Sequence, residues 1–124
     1  METKSAVPAL AALAQESRLA AYRLLVEHAP DGLPAGAIAV RLGIPPATLS
    51  FHLKELSHAG LVVSRAQGRF VWYCADLATM NELVAYLTEN CCSSSAVCDA
   101  ACVPAPVTST PAVAARPPQR RSRP

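Results

Sequence analysis

The stretch from Ile44 to Val62 most constrains the fold, because it carries a complete pattern for one amphipathic helix. Three leucines recur in it at helical spacing and predict one apolar stripe that packs against a core. They are Leu49, Leu53 and Leu56. A Pro-Pro pair at positions 45 and 46 suits the start of the helix, because the first-turn N–H groups have no partner within the helix and proline lacks this group. Gly60 suits the end of the helix, because a residue in the left-handed conformation takes the last carbonyls out of the helical hydrogen-bond pattern.

A second helix and two β-rich runs flank this helix. Residues 34–42 read PAGAIAVRL, a short helix pattern that Gly43 separates from the next helix. Two helices joined by a tight turn that contains glycine form a helix-turn-helix. After Gly60 follow LVVSRA and RFVWYCA, with Gln67 and Gly68 as the expected hairpin turn. This order predicts a winged helix-turn-helix, a mainly α fold with a small β-hairpin (α+β).

Three further helices are predicted around this motif. One covers residues 6–14, one runs from Arg18 to Glu27 behind Ser17 as N-cap, and the last covers residues 77–90 behind Asp76. We expect residues 1–92 to form the DNA-binding and dimerisation domain. Residues 93–124 are expected to be a Cys-containing segment followed by a disordered Pro/Arg-rich tail. The apolar first and last helices are too large a share of this chain to stay exposed, so we expect a homodimer.

On the face opposite the leucine stripe, the side chains near the N-terminus of the helix are small and polar. Small side chains there would let the helix backbone come close to a DNA major groove. We predict DNA contacts from residues of this helix, namely Thr48, Ser50, Phe51, His52 and Lys54. Two alternatives stay open. His52 flanks the leucine stripe and is about as well explained as a packed histidine, and Phe51 either touches a thymine methyl or is a scattered apolar group.

The charges are divided between the tail and the rest of the chain. The formal net charge of +2 depends on four arginines beyond residue 115, and without them seven basic residues face nine acidic ones. A local patch still attracts phosphate without global positive charge. Lys54, Arg65 and Arg69 fall on the helix and the hairpin, so we predict phosphate contacts rather than ordinary surface charges.

The sequence carries neither a membrane-span pattern nor a secretory-signal pattern. No apolar run reaches the length of about 20 residues that a membrane helix needs. The opening METKSAVPALAALAQES also lacks the continuous apolar core of a signal peptide. We expect a cytoplasmic protein with no membrane partner, in which thiols stay reduced. The five cysteines are then better explained as ligands or redox groups than as a disulfide framework.

The run TLSFHLKELSHAGLVVSRAQGRFVWYCAD resembles the ArsR/SmtB family of winged-helix metal-sensing repressors. Family members typically carry S-x-H-L, then L-x-x-A-G-L-V, an R-x-x-G-R wing and a Tyr at the end of the second strand. The matching residues are Ser50, His52, Leu53, Leu56, Ala59, Gly60, Leu61, Val62, Arg65, Gly68, Arg69 and Tyr73. The resemblance covers residues 8–90. It implies a homodimer built from the first and last helices, and binding to double-stranded operator DNA that an inducer relieves.

Four cysteines follow the last predicted helix within twelve residues, with the spacing C-C-x5-C-x3-C. This spacing resembles an arsenic-responsive branch of the family that has a Cys-Cys pair and a third Cys six residues on. The resemblance implies Cys91, Cys92 and Cys98 as metalloid ligands, with Cys102 as a possible addition. Soft thiolates independently favour thiophilic ions, and As(III) or Sb(III) takes three sulfurs. We predict such an ion as inducer, and neither an organic cofactor nor a catalytic residue.

Three alternatives to an arsenite-responsive repressor stay open. Four sulfurs also suit zinc or cadmium, although the paired C-x2–4-C spacing is absent. The same thiols could form a redox switch. A thiol-based arsenate reductase is disfavoured, because no Arg follows a cysteine of the cluster at C-x5-R spacing.

Cys74 ends a strand after Trp72 and is expected to be a buried structural residue.

Overall fold

A computed structural model describes residues 1–94, so Cys98, Cys102 and the predicted tail lie outside the described residues. The chain divides into two units, Met1–Glu89 and Asn90–Pro124, and the predicted boundary after residue 92 stays a prediction. The first unit contains α1 Thr3–Leu13, α2 Glu16–Glu27, β1 Leu33–Pro34, α3 Ala35–Leu42, α4 Pro46–His58, β2 Val62–Gln67, β3 Phe70–Ala75 and α5 Leu77–Thr88. None of these helices is long and apolar enough to cross a membrane.

The predicted helix-turn-helix is confirmed in α3 and α4, and α4 begins at the Pro-Pro pair. Gly60 follows α4 with φ 81°, as its predicted role requires. Its N–H donates to the Ser57 carbonyl at 3.0 Å, and the N–H of Leu61 donates to the Leu56 carbonyl at 3.0 Å. This pair of bonds is the Schellman arrangement, which satisfies carbonyls that a helix end otherwise leaves open.

The leucine stripe of α4 lies in the core, as predicted. Leu49, Leu53 and Leu56 are each at most 1% exposed, and they pack with fully buried residues such as Leu25 of α2 and Ile38 of α3. Burying one such side chain stabilises the fold by about 1.5–3 kcal/mol. The core therefore fixes α4 with its opposite face turned outward.

A three-stranded antiparallel sheet carries the hairpin, in the order β1-β3-β2. The sequence analysis missed β1, whose two residues pair with Tyr73 and Trp72 of β3. A strand of two residues is too short to show an alternation of apolar and polar side chains, so only its pairing with a distant strand identifies it. The predicted turn was wrong by one position. Gln67 pairs with Phe70, so the two loop residues are Gly68 and Arg69. Gly68 has φ 65°, which the first loop residue of a type II′ turn requires.

Side-chain caps mark the starts of α2 and α5. The Ser17 cap was wrong, because Gln15 is the N-cap of α2 and its Oε1 accepts a hydrogen bond from the Arg18 N–H at 2.9 Å. The Asp76 cap of α5 is confirmed, since its Oδ1 accepts from the Thr79 N–H at 3.2 Å. Helix α1 begins three residues before its predicted start, and α5 ends two residues before its predicted end. A side chain longer than the usual capping residues thus set the start of α2.

Helix α2 also carries a polar group into the core. Tyr22 is 4% exposed, and its hydroxyl has no hydrogen-bond partner among the described residues. Burial, and then the negative charge of Asp76, raises the pKa of Tyr22 above its ordinary value of 10.0. The neutral phenol is therefore the form that this core accommodates.

Candidate nucleic-acid interface

Helix α4 presents four of the five predicted helix contacts to solvent. Thr48, Ser50, Phe51 and Lys54 are all exposed, and the Phe51 side chain is 56% exposed. The N-cap makes no side-chain hydrogen bond, so the amide donors of the first turn are left to solvent or a ligand. This face can reach a groove without any change in the core, and its DNA contacts stay a prediction.

His52 does not share this exposure. Its ring is 8% exposed, and its Nδ1 lies 3.3 Å from Nη1 of Arg18. Arginine has no acceptor, so Nδ1 accepts this hydrogen bond and the neutral ring carries its proton on Nε2. Arg18 also donates from Nε to the Ala12 carbonyl at 2.7 Å. The structure places His52 in the packed role that the sequence left open, between α4 and α2, and not on the outer face.

The wing formed by β2 and β3 ends in Gly68 and Arg69, and Arg69 is exposed. Three apolar side chains of the wing are exposed as well. Phe70 is 61% exposed, Val63 51% and Val71 43%. The sequence analysis did not single out Phe70, although its place directly after the turn could have identified it. The wing tip therefore exposes both a cation and an aromatic ring.

Arg65, the other predicted wing contact, is exposed but bonded to its own chain. Its Nη1 donates to Sγ of Cys74 and its Nη2 to the carbonyl of Asp31, each at 3.2 Å. Cys74 is 7% exposed, which confirms the prediction that it is buried. The predicted surface cation thus belongs to a hydrogen-bonded group that joins the wing to the loop at Asp31.

Two of the predicted metalloid ligands lie in the described part of the second unit. The Sγ atoms of Cys91 and Cys92 are 3.3 Å apart. Asn90 and Cys92 both have φ 63°, so the chain turns tightly on either side of Cys91. Within residues 1–94, no group of three or more metal-ligating side chains is present. The other two cysteines of the predicted cluster, Cys98 and Cys102, lie outside the described residues.

Comparison with known proteins gives the family. A family model described as a helix-turn-helix domain matches residues 13–65. An ArsR-like transcriptional regulator from Rhodococcus sp. RHA1 is 30% identical, with a TM-score of 0.58, and the match covers 68% of this chain and 76% of that one. The chain belongs to the ArsR family of transcriptional regulators.

Two other solved structures are similar to this ArsR-family chain. One is the homodimeric winged helix-turn-helix DNA-binding domain of a possible ArsR-family regulator from Mycobacterium bovis. It is 29% identical with a TM-score of 0.56, over 70% of this chain and 81% of that one. A possible transcriptional regulator for arsenical resistance is 28% identical with a TM-score of 0.56, over 63% and 78%. No curated protein sequence gives a significant match.

Family membership assigns roles to the elements of the fold. This ArsR-family chain is a DNA-binding transcriptional regulator and not an enzyme. Helix α4 is the second helix of its helix-turn-helix, and the β2–β3 hairpin is its wing. In such folds the second helix lies in the major groove with its N-terminal residues towards the bases. The exposed first turns of α4 are therefore where base contacts are expected.

Proposed function

We propose that this regulator is an arsenite-responsive repressor of the cytoplasm. It binds operator DNA as a homodimer and leaves the DNA when As(III) or Sb(III) binds Cys91, Cys92 and Cys98. The observation that carries the proposal is the 3.3 Å separation of the Cys91 and Cys92 sulfurs in a chain of this family. One ion with bonds of about 2.3 Å to sulfur, as in zinc thiolates, reaches both atoms at that separation.

The chemistry of the cysteine segment favours a soft, three-coordinate ion. Thiolates select thiophilic ions, and trivalent arsenic is satisfied by three of them. Cys98 is the candidate for the third, since it follows Cys92 by six residues. A similar protein named as a possible transcriptional regulator for arsenical resistance adds support from a relative. Binding would constrain the chain directly after α5, and a shift of that helix would change how two DNA-reading units are spaced.

A second copy of the chain is the proposed partner of α1 and α5. These helices contact each other, and a hydrogen bond joins the hydroxyls of Thr3 and Tyr86. Their exposed large apolar side chains are Val7, Leu10, Leu77, Val84 and Leu87, each at least 41% exposed. An apolar face of this extent marks an interaction surface. The homodimeric relative from Mycobacterium bovis supports the same assembly here.

The dimer is tested by sedimentation at micromolar concentration, where we expect a single dimeric species. Replacing Leu87 by Glu places a charge in the proposed interface and should shift the chain towards monomer. The control is Val40→Glu on α3, because Val40 is 82% exposed and lies outside α1 and α5. A wild-type monomer at this concentration would contradict the two-headed mode of DNA binding.

The wing contact is tested by the salt dependence of DNA binding. Arg69→Ala should weaken binding to operator and random DNA alike, and lower the salt slope by about one unit, because one phosphate contact is lost. Arg23→Ala is the matched control, since Arg23 is an exposed arginine on α2. An unchanged slope in a folded Arg69→Ala protein would remove Arg69 from the interface.

Induction is tested by arsenite titration of the operator complex in reductant. Ser at position 91, 92 or 98 should leave operator binding intact and abolish release, because each removes one of three thiolates. Cys102→Ser should still release, with at most a modest loss of arsenite affinity. X-ray absorption should report three sulfurs on arsenic. A Cys102→Ser protein that no longer responds, or a site with four sulfurs, would contradict the three-thiolate site.

The alternative function keeps the repressor and changes its signal. Cys102 provides a fourth sulfur, and four thiolates are the ligand set of a structural zinc or cadmium ion. Two neighbouring thiols can also oxidise to a disulfide. Parallel titration with antimonite, cadmium and zinc in reductant, and with an oxidant alone, separates these cases. Release by cadmium or by oxidant with no response to arsenite would favour the alternative.

A further inference from the structure

The Arg65 side chain is engaged by three groups of its own chain. Nη1 donates to Cys74 Sγ at 3.2 Å, and Nη2 donates to the Asp31 carbonyl at 3.2 Å. The guanidinium carbon lies 5.9 Å from the centre of the Trp72 ring, a distance at which the ring attracts a cation. Two of the five N–H donors of the guanidinium, one on each terminal nitrogen, are therefore bonded within the protein.

These three partners belong to two different parts of the fold. The strand register places Arg65 directly opposite Trp72, and Cys74 lies two residues further along β3. The three side chains therefore share one face of the wing. Asp31 belongs instead to the loop between α2 and β1. Arg65 thus connects the wing to that loop.

The loop is itself held firmly against β3. Its Gly32 N–H donates to the His28 carbonyl at 2.8 Å. A Cβ at Gly32 would lie 2.1 Å from the Tyr73 carbonyl oxygen, so the two backbones are in close contact. The Cys74 thiol also donates to the Asp31 carbonyl at 3.2 Å. Arg65 therefore donates to a loop that is held in place against β3.

We propose that Arg65 is a positioning residue that holds the wing in its DNA-binding orientation, and that Arg69 at the tip carries the wing's charge to phosphate. The sequence analysis predicted a phosphate contact for Arg65 instead. Turning the guanidinium towards a phosphate would break its hydrogen bonds to Cys74 and the Asp31 carbonyl. This inference rests on the proposed DNA interface, and it assigns different tasks to the two wing arginines.

The two roles are separated by conservative variants. Lysine keeps the positive charge of Arg65, but it lacks the planar fork that bonds two acceptors and stacks on Trp72. Arg65→Lys and Arg65→Ala should therefore weaken operator binding alike, by about fivefold to tenfold, which corresponds to the loss of one typical hydrogen bond. Both should keep the wild-type salt slope. Arg69→Lys should bind almost normally, whereas Arg69→Ala should lose about one unit of slope.

A second readout requires no DNA. Trp72 is the only tryptophan of the chain, so intrinsic fluorescence reports on the ring beside Arg65. Its emission should shift in Arg65→Lys and Arg65→Ala and stay unchanged in Arg69→Ala. Cys74→Ala removes one acceptor without changing any charge, and it should shift the emission in the same direction with no change of salt slope. Circular dichroism spectra verify that each variant is folded.

Two results would overturn the inference. One is an Arg65→Lys protein that binds operator like wild type while Arg65→Ala loses about one unit of salt slope, because charge alone would then explain Arg65. The other is a Trp72 emission that stays unchanged in every Arg65 and Cys74 variant. If the wild-type protein failed to bind DNA, the proposed interface would fall, while the fluorescence shifts would still decide whether Arg65 positions the wing.

Discussion

Replacing Gly32 by Ala should destabilise the fold more than the same change at any other glycine with a positive φ. A Cβ at Gly32 would lie 2.1 Å from the Tyr73 carbonyl oxygen and 2.8 Å from Cys74 Sγ. Both contacts are far too short, so the loop and β3 must separate. Strain of this kind typically costs about 1–3 kcal/mol. The left-handed backbone, at φ 81°, adds about 1–2 kcal/mol for a residue with a side chain.

The expected loss is therefore about 2–5 kcal/mol in the free energy of unfolding. That is a large share of the 5–15 kcal/mol typical of a domain. Gly43→Ala is the matched control, because Gly43 has φ 66° and a Cβ there meets nothing within 4 Å. It should lose only the backbone part, about 1–2 kcal/mol.

Urea unfolding at one fixed protein concentration, monitored by circular dichroism, measures both variants. The slope of the unfolding free energy against urea should stay constant, while the midpoint should fall much further for Gly32→Ala than for Gly43→Ala. Equal midpoints would refute the reasoning, since they would mean that the close approach of the loop to β3 contributes no strain. Fixed concentration matters because the proposed dimerisation would change the apparent stability.

Three further substitutions test two buried side chains and one helix cap. Tyr22→Phe removes a buried hydroxyl without a partner among residues 1–94, so unfolding by urea at pH 7 should show unchanged or higher stability. Because the pKa of Tyr22 is raised in the folded state, wild-type stability should be complete below about pH 10 and fall as pH rises towards the folded pKa, and Tyr22→Phe should lack that decline. Asp76→Ala should lose about 1 kcal/mol through the missing cap, seen as a lower thermal midpoint. His52→Ala should lose about 1–3 kcal/mol in the free energy of unfolding, because Arg18 loses a buried partner. The salt slope of its DNA binding should stay that of wild type. A lowered slope would show that His52 contacts DNA after all.

Local signals in the sequence predicted most of the helical framework. The leucine spacing of α4, its Pro-Pro start and Gly60 each depend on neighbours within one or two turns, and all three were confirmed. The same helical period also places His52 three residues after Leu49 and four before Leu56, which was enough to assign its ring to the buried side. The burial of His52 was thus available from the sequence.

The wing could not be predicted to the same precision, because its register depends on pairing between strands. A turn at residues 67 and 68 would place Arg65 opposite Phe70. The turn at Gly68 and Arg69 places it opposite Trp72 instead. That shift of one loop position decides whether Arg65 lies within reach of Cys74 and the Asp31 carbonyl. Only the folded chain brings these distant residues together.

The buried residues of helix α1 are three alanines, Ala6, Ala9 and Ala12, each at most 7% exposed, and Leu13 packs against the core while only partly buried. One methyl group buries little apolar surface, about 1 kcal/mol each on the usual scale, so α1 is held weakly by its own chain. Its amide protons should exchange with solvent through local opening, well before those of α4, which is anchored by leucines. Dilution of a dimer that covers the other side of α1 should accelerate that exchange selectively. In this fold the first helix would be the element whose persistence depends on protein concentration.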